Sequence, residues 1–187
     1  INFAIQLLID LCSVKFVDRI GYRTCMLIAH GCAFAGFILL TILPDVLPDP
    51  FIGLLIAIVI YAVGGGLLEV LVSPIMESCP TANKEKAMSL LHSFYCWGSV
   101  GVILLSTLYF AIFGIDKWRI LACVWAIIPL YNIYNFATCP IERLVEDGQG
   151  MSLRQLLKKP IFAAAIILMI CAGASEMSMA QWASAFA

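Results

Sequence analysis

The segment from Phe51 to Met76 reads FIGLLIAIVIYAVGGGLLEVLVSPIM and holds a single charged residue, Glu69. A helix crosses the hydrocarbon core of a bilayer with roughly 20 mostly apolar residues, and this segment exceeds that length. Its three consecutive glycines and Pro74 are unfavourable in a soluble helix but are tolerated between packed membrane helices. The segment is therefore predicted to be a transmembrane helix.

Other apolar runs lie on both sides of this segment. Their approximate ranges are 2–16, 24–43, 87–113, 120–138 and 161 to the end. Small residues spaced by four, Ala29/Ala33 and Gly31/Ala35, allow close approach of neighbouring helices. The first and last runs have no polar flank at the chain ends, so we expect a fragment that is cut within two membrane helices. The predicted fold class is an all-α, polytopic membrane helix bundle with about six helices.

The composition agrees with a lipid environment. Hydrophobic residues make up 63% of the chain and charged residues 12%, and the mean hydropathy is +1.00. A soluble domain carries about 25% charged residues, roughly twice this share. The formal net charge is −1 and the basic residues are few and scattered, which argues against a nucleic-acid partner. We therefore expect the lipid bilayer to surround most of the chain.

No sequence pattern indicates an enzyme or a cofactor site. The eight cysteines form no CxxC pair, and most lie in apolar runs, where cysteine behaves as a small apolar residue. No spacing of His and acidic residues predicts a metal site, and no glycine-rich loop followed by lysine predicts nucleotide binding. We therefore expect no catalytic residues, no cofactor and no metal.

Basic residues alternate between the connections that join the apolar runs. The first, third and fifth connections hold Lys15, Arg19, Arg23, Lys84, Lys86, Arg143, Arg154, Lys158 and Lys159, and the others hold only Lys117 and Arg119. The positive-inside rule places the first set in the cytoplasm of a multi-pass protein of the cell (inner) membrane, together with the long 139–160 loop. In this loop, Ser152 and Gln155 form a capping pattern that predicts a short amphipathic helix from Leu153 to Lys159.

The first connection carries a recognisable motif. From Val14 to Arg23 it reads VKFVDRIGYR, which resembles the G-x-L-A-D-R-x-G-R-R loop between the second and third helices of the major facilitator superfamily. The matching residues are Asp18, Arg19, Gly21 and Arg23, and the departures are Val14 and Tyr22. The resemblance implies that the matching residues form a cytoplasmic gate that latches one access state. The alternative reading is an ordinary charged turn between two spans.

Two further stretches resemble one branch of that superfamily, the fucose–galactose–glucose:proton symporters. Gly66–Pro74 (GLLEVLVSP) looks like the branch's G-x-L-E-T-A-A-N-P stretch, with Ser73 in place of Asn. Leu90–Tyr95 (LLHSFY) is similar to its fifth-helix pattern ending in Q-S-F-N, with His92 in place of Gln and Tyr95 in place of Asn. The resemblance implies a proton-coupled sugar symporter, and the departures fall where substrate contacts are expected.

The resemblance also implies an organisation of the chain. Residues 1–138 correspond to the N-terminal transmembrane half without its first helix, 139–160 to the central cytoplasmic loop, and 161–187 to the first helix of the C-terminal half. The expected protein is a monomeric alternating-access transporter whose partners are a small polar solute and a proton. The alternatives are an exporter or carrier of another solute, such as a drug, peptide or nucleoside, and a membrane sensor that keeps the fold without transport.

Glu69 stands out independently of the resemblance. A carboxylate within an apolar span costs several kcal/mol unless it is paired, hydrated or protonated. A group that alternately binds and releases a proton suits proton coupling, so Glu69 is the predicted proton-coupling residue. The alternatives are a carboxylate that reaches the membrane interface and one that pairs with a basic residue elsewhere.

Further polar residues are candidates for a substrate cavity. They are His92, Ser93, Glu176, Gln181 and Trp182. His92 shares one helix face with Ser89, Cys96 and Ser99, and the alternative for this face is a polar seam between helices. The alternative for the three residues near the end of the chain is an aromatic and polar belt at the membrane interface. Asp10 either lines the pathway or pairs with Lys15, and His30 is predicted to be a packing histidine.

Overall fold

The structure, a computed structural model, describes residues 2–139, 141 and 153–186. Within these ranges it does not describe the side chains of Phe3, Val14, Lys15, Asp18, Leu153, Arg154, Met177, Ala180, Gln181 and residues 183–186. The described residues fall into two compact units whose boundary lies in the 139–160 connection. Most of this connection, including Ser152 of the predicted capping pattern, lies outside the described residues.

Every described element is helical, which confirms the all-α fold class. The first unit contains α1 (Asn2–Ile20), α2 (Tyr22–Val46), α3 (Pro50–Ser78), α4 (Lys84–Phe113) and α5 (Trp118–Thr138), with a 3₁₀ turn at Ile115–Lys117 before α5. The second unit contains α6 (Leu153–Leu157) and α7 (Pro160–Phe186). Each long helix of the first unit covers a predicted apolar run and extends beyond it, because capping residues and polar ends add turns that hydropathy alone does not reveal.

Within the described residues, four helices are long and apolar enough to cross a membrane. They are α2, α3, α4 and the stretch Ile115–Thr138 that includes α5. Shorter apolar helical stretches, Ala4–Ser13 and Pro160–Glu176, fall in α1 and α7, the helices predicted from the sequence as the first and last spans. The protein is thus a multi-pass membrane protein with a helical membrane bundle.

Local sequence sets the ends of these helices. Gly21 has a φ of 93°, a conformation that residues with a Cβ rarely adopt, and it separates α1 from α2. The carboxylate of Asp49 accepts a hydrogen bond of 2.9 Å from the backbone N–H of Phe51 at the start of α3. The side chain of Asn83 caps α4 in the same way. Sharp turns at these points return the chain, so that successive helices of the first unit run in opposite directions.

The closest helix approach in the first unit joins α2 and α3. A Cβ added at Gly64 would lie 2.7 Å from the carbonyl oxygen of Ala29 and 2.8 Å from the backbone nitrogen of Ala33. The predicted role of the Ala29/Ala33 pair in helix approach is confirmed. Gly31 lies off this seam, because nothing is within 4 Å of the position its Cβ would take.

Further along the same seam, two more glycines let the α2 and α3 backbones come into contact, because glycine has no side chain. A Cβ at Gly36 would lie 2.8 Å from the Cβ of Tyr61, and a Cβ at Gly53 would lie 2.7 Å from the carbonyl carbon of Leu43. Small residues therefore bring the two backbones together over most of their length. Such contact replaces the hydrophobic effect as the main source of helix association in lipid.

A small apolar core forms where α1, α2 and α3 meet. Its buried members are Val17, Cys25, Met26, Ala29, Leu67 and Leu71. The helix α5 packs on the other side of α2 through small buried residues, among them Ala122 and Ala126. By contrast, α4 has no buried residue and is joined to its neighbours by polar contacts. The indole of Trp125 on α5 donates to the hydroxyl of Ser106 on α4 at 3.3 Å.

We expect the substitution Gly64→Ala to destabilise the protein, because the new methyl group would collide with α2 backbone atoms that cannot rotate away. Overpacking of this kind costs about 1–3 kcal/mol. Thermal unfolding of the purified protein in detergent measures the effect. The matched control is Gly98→Ala on α4, where nothing lies within 4 Å of the new Cβ. Equal melting temperatures for the two variants would contradict the tight α2–α3 seam.

Candidate functional site

The centre of the candidate site is Glu69 on α3. The glycines that precede it let α3 approach two neighbours, since Gly64 faces α2 and Gly66 faces α1. Leu67 and Leu71 on either side of Glu69 are buried in the core, whereas the side chain of Glu69 is exposed at the surface of the first unit. The sequence predicted the carboxylate within the span, and the structure adds that it points away from the apolar core.

The contact between α1 and α3 lies beside Glu69. A Cβ at Gly65 would be 3.1 Å from the amide nitrogen of Gln6, and one at Gly66 would be 3.1 Å from the Cα of Gln6 and 3.2 Å from the Cβ of Ile9. A polar side chain of α1 therefore lies against the glycine stretch, one turn before the carboxylate. Gln6 is a site residue that the sequence did not predict, although its spacing of four from Asp10 was a usable signal.

The predicted cavity residues of α4 are at the surface. His92 and Ser93 are both exposed, and the hydroxyl of Ser93 donates to the carbonyl of Ser89 at 2.8 Å. A shallow open depression lies further along α4, and its lining residues are Phe94, Tyr95, Gly98, Ser99, Val102 and Ile103. Neither His92 nor Ser93 belongs to it. The described residues thus do not bring the α4 candidates and Glu69 into one enclosed cavity.

The three candidates of α7 belong to the second unit. Glu176 is exposed, and the indole-bearing side chain of Trp182 is 60% exposed. The side chain of Gln181 lies outside the described residues. The neighbouring Ser175 uses its hydroxyl to bond the carbonyl of Cys171 at 2.8 Å within the helix. Their role in a cavity remains a prediction.

The predicted gate motif lies at the junction of α1 and α2, and its last member, Arg23, contacts α5. The guanidinium of Arg23 donates to the carbonyl of Phe136 at 3.1 Å and also to the carbonyl of Ala137. Carbonyls in the last turn of a helix have no partner within the helix and carry the negative end of its dipole. Arg23 therefore caps α5. Arg19 is exposed, and the side chain of Asp18 lies outside the described residues.

A second polar contact joins α2 and α5 at their other ends. The guanidinium of Arg119 forms two hydrogen bonds with the carboxylate of Asp45, with distances of 2.5 and 2.7 Å. We call this pair and the Arg23 cap the α2–α5 clamps. They agree with the chain direction expected from the sequence, which put Asp45 and Arg119 on one side of the membrane and Arg23 on the other.

The structure places His30 between these clamps. It is 4% exposed, its Nδ1 lies 2.9 Å from the carbonyl oxygen of Met26, and its ring stacks on Phe136 with centroids 5.1 Å apart. The prediction of a packing histidine is confirmed.

Comparison of the chain with family models, with characterised proteins and with solved structures gives no match. The membership in the major facilitator superfamily implied by the sequence motifs therefore stays a prediction. The geometry of the first unit provides the physical basis for a functional proposal.

We expect Arg23→Gln to lower the melting temperature by about 2–4 °C, because the loss of a cationic cap at a helix C-terminus costs about 1 kcal/mol. The matched control is Arg19→Gln, which removes the same charge from the end of α1 where the side chain is exposed. Thermal unfolding of both variants in detergent makes the comparison. An equal loss in the two variants would show that charge alone, and not the contact with α5, is responsible.

Proposed function

We propose that the chain is part of a secondary active transporter that works by alternating access and couples the uptake of a sugar or a similar small polar solute to protons. The observation that carries the proposal is the position of Glu69, a carboxylate in an apolar helix long enough to span the membrane. Charged groups within spans are rare and mark ion or substrate pathways. The motif resemblance to the fucose–galactose–glucose:proton symporters supports the same reading.

The exposure of Glu69 on the first unit is the position expected of a carboxylate in a transport pathway. An ionised carboxylate against lipid tails is costly, so the surface of α3 around Glu69 has to face water, solute or further protein. In a transporter of this kind that surface lines the central cavity. Protonation of Glu69 from one side and its deprotonation toward the other would couple solute movement to the proton gradient.

The α2–α5 clamps and the glycine seam support a rocking mechanism. They tie α2 to both α3 and α5, so these helices move as one body and carry Glu69 with them. Alternating access in two-part transporters is largely a rigid-body motion around a fixed binding site. In this proposal, Asp18, Arg19, Gly21 and Arg23 form the cytoplasmic gate at the α1–α2 junction.

The remaining parts of the proposal concern the cavity and the setting. Within the first unit, His92 and Ser93 are the proposed solute-binding residues of α4. Within the second unit, Glu176, Gln181 and Trp182 are those of α7. The protein is a monomer of the major facilitator type in the inner membrane, and the loop 139–160 is cytoplasmic.

We expect Glu69→Gln to abolish accumulation of solute without abolishing binding, because the amide keeps the shape of the side chain but cannot carry a proton. The full-length protein in proteoliposomes is given labelled L-fucose, D-galactose and D-glucose, with and without an inward proton gradient. Accumulation by the variant should fall at least tenfold. The matched control, Glu85→Gln, removes an exposed carboxylate from the first turn of α4 and should accumulate solute like the wild type.

Each result of this assay tests a different part of the proposed function. Unchanged accumulation by Glu69→Gln would overturn the coupling role. Sugar uptake that ignores the proton gradient in the wild type would overturn proton coupling, and the absence of sugar uptake would overturn the solute class. Outward movement of the sugars against their gradient would favour an exporter.

The orientation is tested with cysteine labelling. The exposed Cys139 follows α5 on the side proposed to be cytoplasmic, whereas Asp116 lies in the turn proposed to be outside. In intact cells a membrane-impermeant maleimide should label an Asp116→Cys variant, and it should label Cys139 only after permeabilisation. The reverse pattern would show the opposite orientation.

A further inference from the structure

One face of α1 is polar through its first three turns and just beyond. Asn2, Gln6, Asp10 and Ser13 are spaced by four, four and three residues, so they lie on one side of the helix. Gln6 of this set is in contact with Gly65 and Gly66, so the α1 polar face is directed toward α3. By contrast, the α2–α3 seam is made by small and apolar residues.

Two oxygen atoms of the α1 polar face have no hydrogen-bond partner in the described part of the chain. They are the buried Oδ1 atoms of Asn2 and Asp10. The nearby Ser13 is 1% exposed and uses its hydroxyl to bond the main-chain carbonyl of Asp10 at 2.7 Å, not the carboxylate. A buried carboxylate oxygen without a donor costs several kcal/mol in apolar surroundings. Binding of a proton removes the charge and with it most of this cost.

The depth of Asp10 in the bundle matches that of Glu69. Because α1 and α3 run in the same direction and Gly66 lies against Gln6 and Ile9, residue numbers in the two helices can be compared directly. Asp10 follows Ile9 by one residue and Glu69 follows Gly66 by three. At about 1.5 Å per residue, the two carboxyl-bearing residues lie within one helical turn of each other along the bundle axis.

The charged groups of the neighbouring helices leave Asp10 without a cation in the described part of the chain. The ion pairs there join Glu77 to Lys84 and Asp45 to Arg119. On α2, Arg23 is occupied by the end of α5. His30 of the same helix stacks on α5, and Cys25 belongs to the apolar core. From α3, Glu69 is the ionisable group at the level of Asp10, and it is an acid as well.

We infer that Asp10 is a second proton-binding carboxyl group of the coupling site. In the resting protein the proton is held by the carboxyl group of Asp10 between α1 and α3. During the cycle it leaves an oxygen of Asp10 and binds a carboxylate oxygen of Glu69, directly or through one water molecule, so that one negative charge moves in the opposite direction. This inference rests on the proposed proton-coupled transport and names a further residue of the same site.

Infrared spectroscopy of the purified full-length protein in lipid nanodiscs at pH 7 tests the stored proton without any solute. The wild type should show the carbonyl stretching band of a protonated carboxyl group, and Asp10→Asn should lose it. Asp10→Glu keeps the carboxyl group and should show the band at a shifted frequency, which separates loss of the proton from loss of the fold. Glu85→Gln is the control and should keep the band.

The inference is overturned if Asp10→Asn has the same band as the wild type. Pairing of Asp10 with Lys15 would give this outcome, because a paired carboxyl group is ionised in the wild type and contributes no band that the substitution could remove. A transport measurement then tests the coupling role. Asp10→Asn should retain exchange of labelled sugar across the membrane without a gradient, and its gradient-driven accumulation should fall at least tenfold.

The outcomes distinguish this inference from the proposed function. If the wild type accumulates sugar and Asp10→Asn does so equally, Asp10 has no coupling role although transport stands. If the wild type accumulates nothing in a proton gradient, the proposed function fails, and the infrared band alone still shows whether Asp10 stores a proton.

Discussion

The close approach of α2 and α3 is the interaction on which the first unit depends. Three glycines remove the side chains that would otherwise keep the two backbones apart, and Ala29 and Ala33 complete the contact. In lipid, burial of apolar side chains yields little, because lipid tails are as apolar as the side chains themselves. Dispersion contacts between closely packed backbones therefore supply the stabilisation, and they are strong only when almost no atoms intervene.

The helix α2 connects this seam to the rest of the unit. One side of it meets α3, and the other meets α5 through small residues and through the α2–α5 clamps at both ends. An exposed ion pair such as Asp45–Arg119 contributes about 0–1 kcal/mol. Its geometry, however, fixes the register of α5 on α2, and the Arg23 cap fixes it again at the opposite end. The two contacts therefore determine where α5 lies along α2 and add little to the free energy of unfolding.

The sequence predicts the elements well and their polar contacts poorly. Hydropathy locates the long helices because a membrane span needs an uninterrupted apolar run, and Gly21 and Asn83 indicate where helices end. The packing role of His30 follows from its small and apolar neighbours. Contacts between distant residues are not predictable in this way. Arg23 lies 113 residues from Phe136 in the sequence, and no local pattern predicts that Arg23 caps the helix that contains Phe136.

In the candidate site, too, the position of a residue along the chain is predictable from the sequence, whereas its contacts are not. The position of Glu69 in an apolar span is visible in the sequence, since a single charge in such a run is conspicuous. The direction of its side chain and the contact of Gln6 with Gly65 depend on how α1 and α3 are rotated against each other. Rotation of this kind is set by packing of the whole unit, and for α4, which buries nothing, the described helices provide no such packing.

The short connection between α2 and α3 has a consequence for how the protein is inserted into the membrane during synthesis. Residues 47–49 join the two helices, so the pair leaves the ribosome as a hairpin whose halves are already neighbours. Little chain entropy is lost when a loop this short closes. The hairpin is thus suited to dock as soon as both halves have entered the bilayer, before α5 has been synthesised. It would then serve as the template on which α5 settles, whereas α4 enters the membrane by its own hydropathy.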